Sequence, residues 1–278
     1  MNGLSIIYRA YPNISKKPII NFPDKLSMID FSIKSLKDAL KDIDFEFIFI
    51  SDNCTNQQIE KVENIIKPVA SNFLVKKFDG IGNQESFKEQ LNCVKNVSYD
   101  YILLLEDDYY IGKNDIKINL DLLSNTDIDY STFYYSYDSS SSTGGMYLKK
   151  NYFENCEVTL LPSTTLTFFA KKNILIKDIN YFYEFSKGAH DSSIWLKITG
   201  NFLWFLPKIF KPLFYKNIKL YFSIIKRYFI YMFKHNRRQR TLAYIGFGDS
   251  THLESDGLFN LFSLKEKINQ KYIDFAKR

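Results

Sequence analysis

The sequence has few cysteines and no long hydrophobic run. Its 278 residues include three cysteines, Cys54, Cys93 and Cys156, which are far apart and form no CxxC pair. This spacing argues against a disulfide framework and a zinc site, and it is typical of a reducing compartment. The first apolar run, residues 4–8, is followed at once by Arg9. It is too short for a signal-peptide core or a membrane span, so we expect a cytoplasmic protein or one at the inner face of a membrane.

Acidic residues are absent from one long stretch. Between Ser192 and Gly248 there are eleven Lys or Arg and no Asp or Glu, and because the whole chain has a net charge of +6 the remainder carries −5. Within this stretch, residues 202–240 interleave aromatic residues with Lys and Arg. A basic, aromatic-rich helix is typical of attachment to a membrane surface. The alternative is a helical insert that packs on the core, and no motif supports nucleic-acid binding.

The most informative stretch is YDYILLLEDDYYIG, residues 99–112. An unbroken apolar run is followed by three acids, Glu106, Asp107 and Asp108. Such a run suits a strand buried on both faces, as in a parallel sheet covered by helices. The acids then lie outside the carboxyl end of the strand, where open α/β sheets bind ligands. Because adjacent carboxylates repel one another, the pattern predicts a divalent cation with an anionic ligand such as a nucleotide diphosphate; a solvated acidic turn is the alternative.

The segments around this strand alternate between strand and helix patterns. Apolar runs predict strands over residues 4–8, 45–50, 73–78 and 101–105, and helical spacing predicts helices over residues 24–41, 55–68 and 85–96. Thr55 and Gln58 have the spacing of a capping box. Alternation of this kind predicts a parallel sheet with helices on its faces.

After Gly112 the alternation ends. We expect a helix over residues 114–124, a strand over 129–135, one or two strands within 159–170, a helix over 192–199 and an amphipathic helix over 264–276. Residues 138–145, DSSSSTGG, have the composition of a loop.

In this order the motifs resemble those of GT-A-type, nucleotide-sugar-dependent glycosyltransferases, in the style of family 2. The second strand ends in Asp within FISDNCT, a Gly-Asn turn opens a helix in IGNQESFKEQL, and the acids follow their strand in LLLEDDYY. GAHDSSIWL and DSTHLES follow further along the chain. The resemblance covers about residues 4–254 and is weakest over the basic stretch. It implies an α/β fold with a Rossmann-like, mostly parallel sheet flanked by helices, followed by a helical basic C-terminal region.

The resemblance implies how a nucleotide-sugar donor binds. Asp52 matches the acid that contacts the nucleotide base, and Tyr8 and Tyr11 lie where the base and ribose pack. The alternative for Asp52 is a residue that ends a strand or enters a helix. Three arginines between residues 237 and 240 are further candidates for contact with the donor diphosphate.

The resemblance also implies a metal site and a catalytic base. Glu106 and Asp108 match the two ends of the family's DxD motif, of which the first faces the ribose or diphosphate and the second ligates Mn²⁺ or Mg²⁺. Glu at the first position departs from the motif, so Asp107 is a further donor-binding candidate. His252 matches a late His that closes the metal site in some members, with a surface histidine as the alternative. Asp191 matches the general base of inverting members, and its alternative role is a helix N-cap.

The activity implied is metal-dependent transfer of a sugar to a hydroxyl of a glycan or lipid-linked acceptor, with inversion. Residues 1–200 would form the catalytic domain, with a donor half to residue 112 and an acceptor half after it. Residues 201–240 would be a basic insert, and 241–278 would complete the domain. Two alternatives stay open. One is a nucleotidyltransferase acting on a sugar phosphate, although no Gly-rich phosphate loop follows the first strand; the other is a non-catalytic, membrane-associated binding module.

Overall fold

The computed structural model describes residues 3–15, 18, 20–133, 148–153, 156–160, 166–188, 194, 198, 240, 242–245 and 250–254. The loop predicted over residues 138–145, the basic aromatic residues 202–239 and the helix predicted over 264–276 lie outside them. Within the described ranges, no helix is both long enough and apolar enough to cross a membrane.

The first half of the chain alternates strands and helices, as its apolar runs predict. Its elements are β1 (Leu4–Ala10), α1 (Lys25–Ala39), β2 (Phe45–Asp52), α2 (Asn56–Ile66), β3 (Asn72–Phe78), α3 (Gly82–Cys93) and β4 (Tyr101–Glu106). Every residue of β1 and β2 is buried, which explains why both strands are mostly apolar on their two faces. Each fully buried Leu or Ile contributes about 1.5–3 kcal/mol to folding. The four strands and three helices predicted here are confirmed.

Side-chain caps mark where α1 and α2 begin. Asp24 precedes α1 and accepts a hydrogen bond from the backbone N–H of Ser27 at 2.7 Å. Thr55 and Gln58 form the predicted capping box of α2. The first residue of α3 is Gly82, whose φ of +83° favours glycine because a Cβ disfavours that region.

The four strands of the first half lie in the order β3-β2-β1-β4, and neighbouring strands are parallel. The chain moves outward from β1 to β3 and then returns to the other side of β1 with β4. Ligands of open α/β sheets bind outside the carboxyl ends of the strands where the order reverses in this way. The register pairs Arg9 with Glu106, so two charged residues meet at this crevice.

Beyond β4 the sheet is mixed. The later elements are β5 (Tyr109–Tyr110), α4 (Asp115–Asn125), β6 (Tyr130–Thr132), β7 (Leu148–Phe153), β8 (Cys156–Leu160), β9 (Phe168–Lys171), α5 (Lys172–Phe182), β10 (Leu242–Ile245) and β11 (Thr251–His252). In the described residues the large sheet has the order β3-β2-β1-β4-β9-β6-β10-β8-β7, and β5 pairs with β11 in a separate ladder. The predicted helix over residues 114–124 is found as α4, and the strand over 129–135 as the shorter β6. The sequence patterns do not predict α5 or the β5–β11 ladder.

Apolar side chains form a layer on each face of the sheet. Alternate residues of a strand point to opposite faces. Leu4 and Ile6 of β1 therefore lie in the layer covered by α1 and α2, whereas Ile7 lies in the layer covered by α3 and α5. Helices on both faces of a sheet with a parallel block define an α/β fold. The predicted fold class is confirmed.

Candidate active site

The crevice beyond β1 and β4 collects charged residues from distant parts of the chain. Glu106 ends β4, and Asp107 and Asp108 follow it directly. Lys25 opens α1. The strand β11 brings His252 to the same edge, since it pairs antiparallel with β5 just after the acids. The fold therefore assembles this edge from the start, the middle and the end of the described chain.

Each of the three adjacent acids is paired with a different basic side chain. The pairs are Glu106 with Arg9, Asp107 with Lys25, and Asp108 with His252. The basic partners come from β1, α1 and β11, so three segments are tied to the end of β4. These basic side chains relieve part of the repulsion among the three carboxylates, which the sequence pattern alone led us to expect a metal ion to relieve.

Arg9 is a buried cation at the end of β1. Its side chain is 1% exposed and forms a salt bridge with Glu106. It also donates to Asn83 Oδ1 at 2.6 Å and lies over the ring of Phe87 at 5.3 Å. Burial lowers the pKa of Arg9, but Glu106 together with Tyr11 and Asp108 outweighs burial, so the net pKa is raised. Arg9 therefore stays charged and orients Glu106, the residue predicted to face the ribose or diphosphate.

Asp107 points into the protein. Its Oδ1 accepts from Lys25 Nζ at 3.0 Å, and its Oδ2 accepts from the backbone N–H of Tyr11 at 3.0 Å. Burial raises the pKa of Asp107 to about 6 although the Lys25 ammonium opposes the shift. Asp107 is 2% exposed and holds the loop after β1 through the backbone of Tyr11. This position suits a structural role better than the donor contact predicted for it.

Of the three acid–base pairs at this edge, Asp108 with His252 is the most exposed to solvent. His252 Nε2 lies 2.7 Å from Asp108 Oδ2, and the two side chains are 30% and 15% exposed. Burial lowers the pKa of His252, but Asp108 together with Glu106 and Glu254 outweighs burial, so the net pKa is raised. Burial raises the pKa of Asp108, but His252 with other cations outweighs burial and the net pKa is lowered. Each partner thus stabilises the charged form of the other.

The donor atoms here fit a divalent cation that shares its ligands with a substrate. Among the described residues, Asp108 Oδ1 is buried and has no hydrogen-bond partner. The described part of the chain holds no group of three His, Cys, Asp or Glu side chains that could form a metal cage. Mg²⁺ in particular is usually held by one or two carboxylates together with substrate phosphates. Asp108, with His252 beside it, fits that partial ligand set.

The structure separates the two tyrosines that the resemblance assigned to the donor. Tyr8 is fully buried between Phe47 and Phe49, with ring centroids at 5.5 and 5.6 Å, so it offers no surface to a base. The reason is that β1 continues to Ala10, which places Tyr8 inside the sheet. Tyr11 lies at the edge, where its hydroxyl is 2.6 Å from Ser86 Oγ.

Asp52 holds the turn that leads into α3. Its two carboxylate oxygens accept from the backbone N–H groups of Ile81 at 2.7 Å and Gly82 at 2.8 Å. The residue is 2% exposed. This geometry is that of the helix-entry residue, the alternative to the predicted base contact.

The remaining candidates fall outside the described residues or away from the crevice. Asp191 lies outside the described residues, as do two of the three arginines between 237 and 240. Arg240 is described, and its Nε donates to Asp178 Oδ2 at 2.8 Å. Asp178 also accepts from the hydroxyl of Tyr130, which lies level with Ile102 because both pair with Ala170. Arg240 therefore lies near the amino-terminal end of β4, and its suggested contact with a donor diphosphate is wrong.

Sequence reasoning missed three residues of this edge. They are Arg9, Lys25 and Glu254, all of them buried. A charged residue inside the apolar first strand was a signal for Arg9, since a buried charge needs a partner. Lys25 and Glu254 carry no comparable signal, because each resembles an ordinary charged residue near the end of an element.

No model of a known protein family matches the sequence, and no curated protein matches it. Solved structures do show similarity. TarS of S. aureus, residues 1–349 in complex with UDP, is 17% identical over 70% of this chain and 54% of its own, with a TM-score of 0.49. The galactosyltransferase LgtC, in complex with donor and acceptor sugar analogues, is 11% identical over 97% of this chain and 95% of its own, with a TM-score of 0.45.

A third similar structure is the mannosyltransferase PcManGT of Pyrobaculum calidifontis in complex with GDP-Man and Mn²⁺. It is 8% identical over 48% of this chain and 36% of its own, with a TM-score of 0.37. The chain thus spans about half the length of the TarS chain that it matches. The solved structures similar to this chain thus include glycosyltransferases, the family that its sequence motifs resemble.

Proposed function

We propose that this protein is a glycosyltransferase that moves a sugar from a nucleotide sugar to a hydroxyl of a glycan or lipid-linked acceptor. The observation that carries the proposal is the Asp108–His252 pair at the switch point of the sheet. One carboxylate oxygen there is bonded to an imidazole, and the other is buried with no hydrogen-bond partner among the described residues. A buried carboxylate oxygen of this kind is stabilised by a cation.

The charge of this edge supports a divalent cation as the cofactor. Four carboxylates, Glu106, Asp107, Asp108 and Glu254, face two permanent cations, Arg9 and Lys25, with His252 as a third when protonated. A diphosphate adds further negative charge, so it binds here only together with a cation. We propose Mn²⁺ or Mg²⁺, held by Asp108, with His252, the second residue that the resemblance assigned to the metal, bonded to the other carboxylate oxygen of Asp108. When bound, the ion offsets the charge that develops on the leaving diphosphate.

The residues around the pair would shape the donor site. Arg9 holds Glu106 in place, and Glu106 faces the ribose or diphosphate. Tyr11 presents its ring at the same edge, where it would pack against the base or ribose. Asp52 acts on the donor indirectly, because it fixes the turn before α3. Tyr8 is a core residue and has no part in the proposed site.

Asp191 is the proposed general base, on the strength of the resemblance alone. A positioned base contributes roughly 10²–10⁴ in rate. We therefore expect Asp191→Asn to lower the turnover number by a factor in this range while its donor affinity stays near that of the wild type. Donor binding by calorimetry and transfer by product chromatography separate the two effects. Retained turnover would rule out Asp191 as the base.

The test of the proposed function is a thermal-shift screen of nucleotide sugars and nucleoside diphosphates, with and without Mn²⁺. A ligand that binds only the folded state stabilises it by about 2.7 kcal/mol at a hundredfold excess over Kd. We expect one nucleotide class to raise the unfolding midpoint, and only with the metal. No shift with any donor would contradict the proposal. A shift with a nucleoside triphosphate, followed by pyrophosphate release with a sugar phosphate, would favour a nucleotidyltransferase instead.

Attachment of residues 202–240 to a membrane surface is a further part of the proposal that rests on the sequence. Sedimentation with vesicles of anionic lipid measures it directly, and binding that persists without donor or metal is expected. A lipid-linked acceptor would then meet the enzyme at the same surface. Equal recovery of the protein with and without vesicles would contradict this part.

A further inference from the structure

The segment 250–254 crosses the acidic edge as a short extended strap. Its central residues, Thr251 and His252, pair antiparallel with Tyr110 and Tyr109. The backbone N–H of Leu253 donates to the carbonyl oxygen of Asp108 at 2.6 Å. A ladder of two residues is marginal by itself. Other contacts must therefore hold the strap in place.

At one end the strap is held by a buried serine. Ser250 is 1% exposed, and its backbone N–H and hydroxyl donate to Asp115 Oδ2 at 2.7 and 2.6 Å. The hydroxyl in turn accepts from the backbone N–H of Gly112 at 2.8 Å. Asp115 is the first residue of α4 and is itself buried. Two hydrogen bonds from Ser250 to one carboxylate oxygen therefore tie this end of the strap to α4.

At the other end the strap is held by a buried glutamate. Glu254 is 2% exposed, and its Oε1 accepts from Lys25 Nζ at 3.3 Å. Its Oε2 accepts from both the backbone N–H and the hydroxyl of Ser15. Lys25 also bonds Asp107, the neighbour of Asp108. This end therefore ties the strap to α1, to the loop after β1 and to the acidic motif.

His252 lies midway between these two attachments. Residues two apart in an extended segment point to the same face, so Ser250, His252 and Glu254 share one face of the strap. Both outer residues are buried and bonded, while His252 reaches Asp108 Oδ2 and packs against the ring of Tyr109 at 5.0 Å between centroids. The backbone that carries the imidazole is therefore fixed on either side of residue 252.

We propose that Ser250 and Glu254 are positioning residues that hold the His252 imidazole against Asp108. They keep one oxygen of Asp108 bonded to the ring and leave the other directed to a divalent cation. The positioning itself requires neither donor nor metal. Its use in catalysis rests on the proposed function.

The first test observes the histidine ring directly. The chain has three histidines, His190, His235 and His252. Long-range ¹H–¹⁵N spectra of the metal-free protein resolve the three imidazole rings. The signal that is lost in His252→Gln is assigned to His252. We expect Glu254→Ala to move this signal from that of a hydrogen-bonded ring toward that of a free imidazole. Ser250→Ala should do the same to a smaller extent, because the backbone bond of residue 250 to Asp115 remains.

Two further variants separate positioning from general loss of stability. Asp178→Asn weakens a different buried ion pair, distant from the strap, and should leave the His252 signal in place. Glu254→Gln keeps the shape of the side chain and an acceptor for Ser15, so it should restore part of the wild-type signal. If Glu254→Ala does not fold, Ser250→Ala and Glu254→Gln still give the comparison. An unchanged His252 signal in the folded variants would overturn the proposal.

The second test is Mn²⁺ binding, followed by the electron paramagnetic resonance signal of the free ion. Loss of a group that orients a metal ligand typically weakens metal binding 10–100-fold. We expect a loss in this range for Glu254→Ala, a smaller loss for Ser250→Ala and none for Asp178→Asn. If the ring signal moves but the wild type binds no Mn²⁺, the positioning stands and the proposed function fails. If the wild type binds Mn²⁺ and both strap variants bind it equally well, the positioning role is wrong.

Discussion

Two clusters of charged side chains lie near opposite ends of strand β4. They differ in how completely their carboxylate oxygens are paired with hydrogen-bond donors. The first, which we call the amino-terminal cluster because it lies near the amino-terminal end of β4, consists of Asp178, Arg240 and Tyr130. Arg240 donates to both carboxylate oxygens, at 2.8 and 3.3 Å, and Tyr130 adds a third bond at 2.9 Å. Both carboxylate oxygens of Asp178 thus have a hydrogen-bond partner.

The carboxyl-terminal cluster is the set of three acid–base pairs after β4 together with Glu254. It holds more carboxylates than permanent cations, and one oxygen of Asp108 has no hydrogen-bond partner in the described structure. Buried charges are normally paired, because a bare charge in the interior is strongly unfavourable. The difference indicates that the first cluster supports the fold, whereas the second leaves room for a cation from outside.

The largest effect on stability is expected from Lys25→Met. This substitution leaves Asp107 and Glu254 buried without their shared cation, and removing one partner of a buried ion pair costs about 3–5 kcal/mol. Urea denaturation at neutral pH measures the loss. Lys34→Met is the matched control, since Lys34 forms an exposed pair with Asp30 that is worth about 0.2–0.5 kcal/mol. Equal losses for the two variants would mean that the Lys25 cluster does not stabilise the fold.

The next effect is a pH dependence that Asp107→Asn should remove. Burial raises the pKa of Asp107 to about 6, above the ordinary value of 3.8. The folded state therefore holds more protons than the unfolded state between these values, and the contribution of Asp107 to stability falls as the pH rises from about 4 to about 6. The destabilisation caused by Asp107→Asn should thus be larger at about pH 4 than at about pH 7 in urea denaturation. The same loss at both pH values would show that Asp107 does not titrate in this range.

A smaller loss is expected from Arg240→Met in the amino-terminal cluster. Asp178 then loses its cation but keeps the hydrogen bond from Tyr130, so the cost should be about 1–3 kcal/mol. Chemical denaturation measures it, and Mn²⁺ binding should be unchanged. A loss of Mn²⁺ affinity in this variant would mean that the amino-terminal cluster also affects the cation site, and it would contradict the separate roles given to the two clusters.

The smallest effect is expected from Tyr130→Phe. It removes one buried hydrogen bond to Asp178 and leaves the salt bridge with Arg240 in place. Such a bond contributes about 0.5–1.5 kcal/mol. Thermal and urea unfolding should both report a loss in this range. A loss as large as that of Lys25→Met would mean that the amino-terminal cluster depends on the hydroxyl rather than on Arg240.

The parallel half of the fold was predictable from the sequence because its signals are local. β1, β2 and β4 are apolar runs that are buried on both faces, and Thr55 with Gln58 marks the start of α2 within four residues. The helix α5 also carries a helical pattern, since its buried residues recur at helical spacing from Leu175 to Phe182. That pattern was missed because it follows directly on a strand.

The site was predictable only in part because its partners meet across long stretches of chain. The acids after β4 stand out in the sequence, but Arg9 is 97 residues from Glu106, and His252 is 144 residues from Asp108. No local pattern tells which cation reaches which carboxylate. Tyr8 shows the converse error: a strand two residues longer than predicted turns an expected surface residue into a core residue.

The central claim is that the Asp108–His252 pair binds a divalent cation together with a nucleoside diphosphate. The most direct measurement is a titration of Mn²⁺ into the wild type and Asp108→Asn, with the free ion followed by electron paramagnetic resonance, in the absence and presence of UDP or GDP. We predict that one diphosphate tightens Mn²⁺ binding to the wild type and that Asp108→Asn loses this gain. Equal Mn²⁺ binding by the two proteins, with either diphosphate or none, would contradict the account.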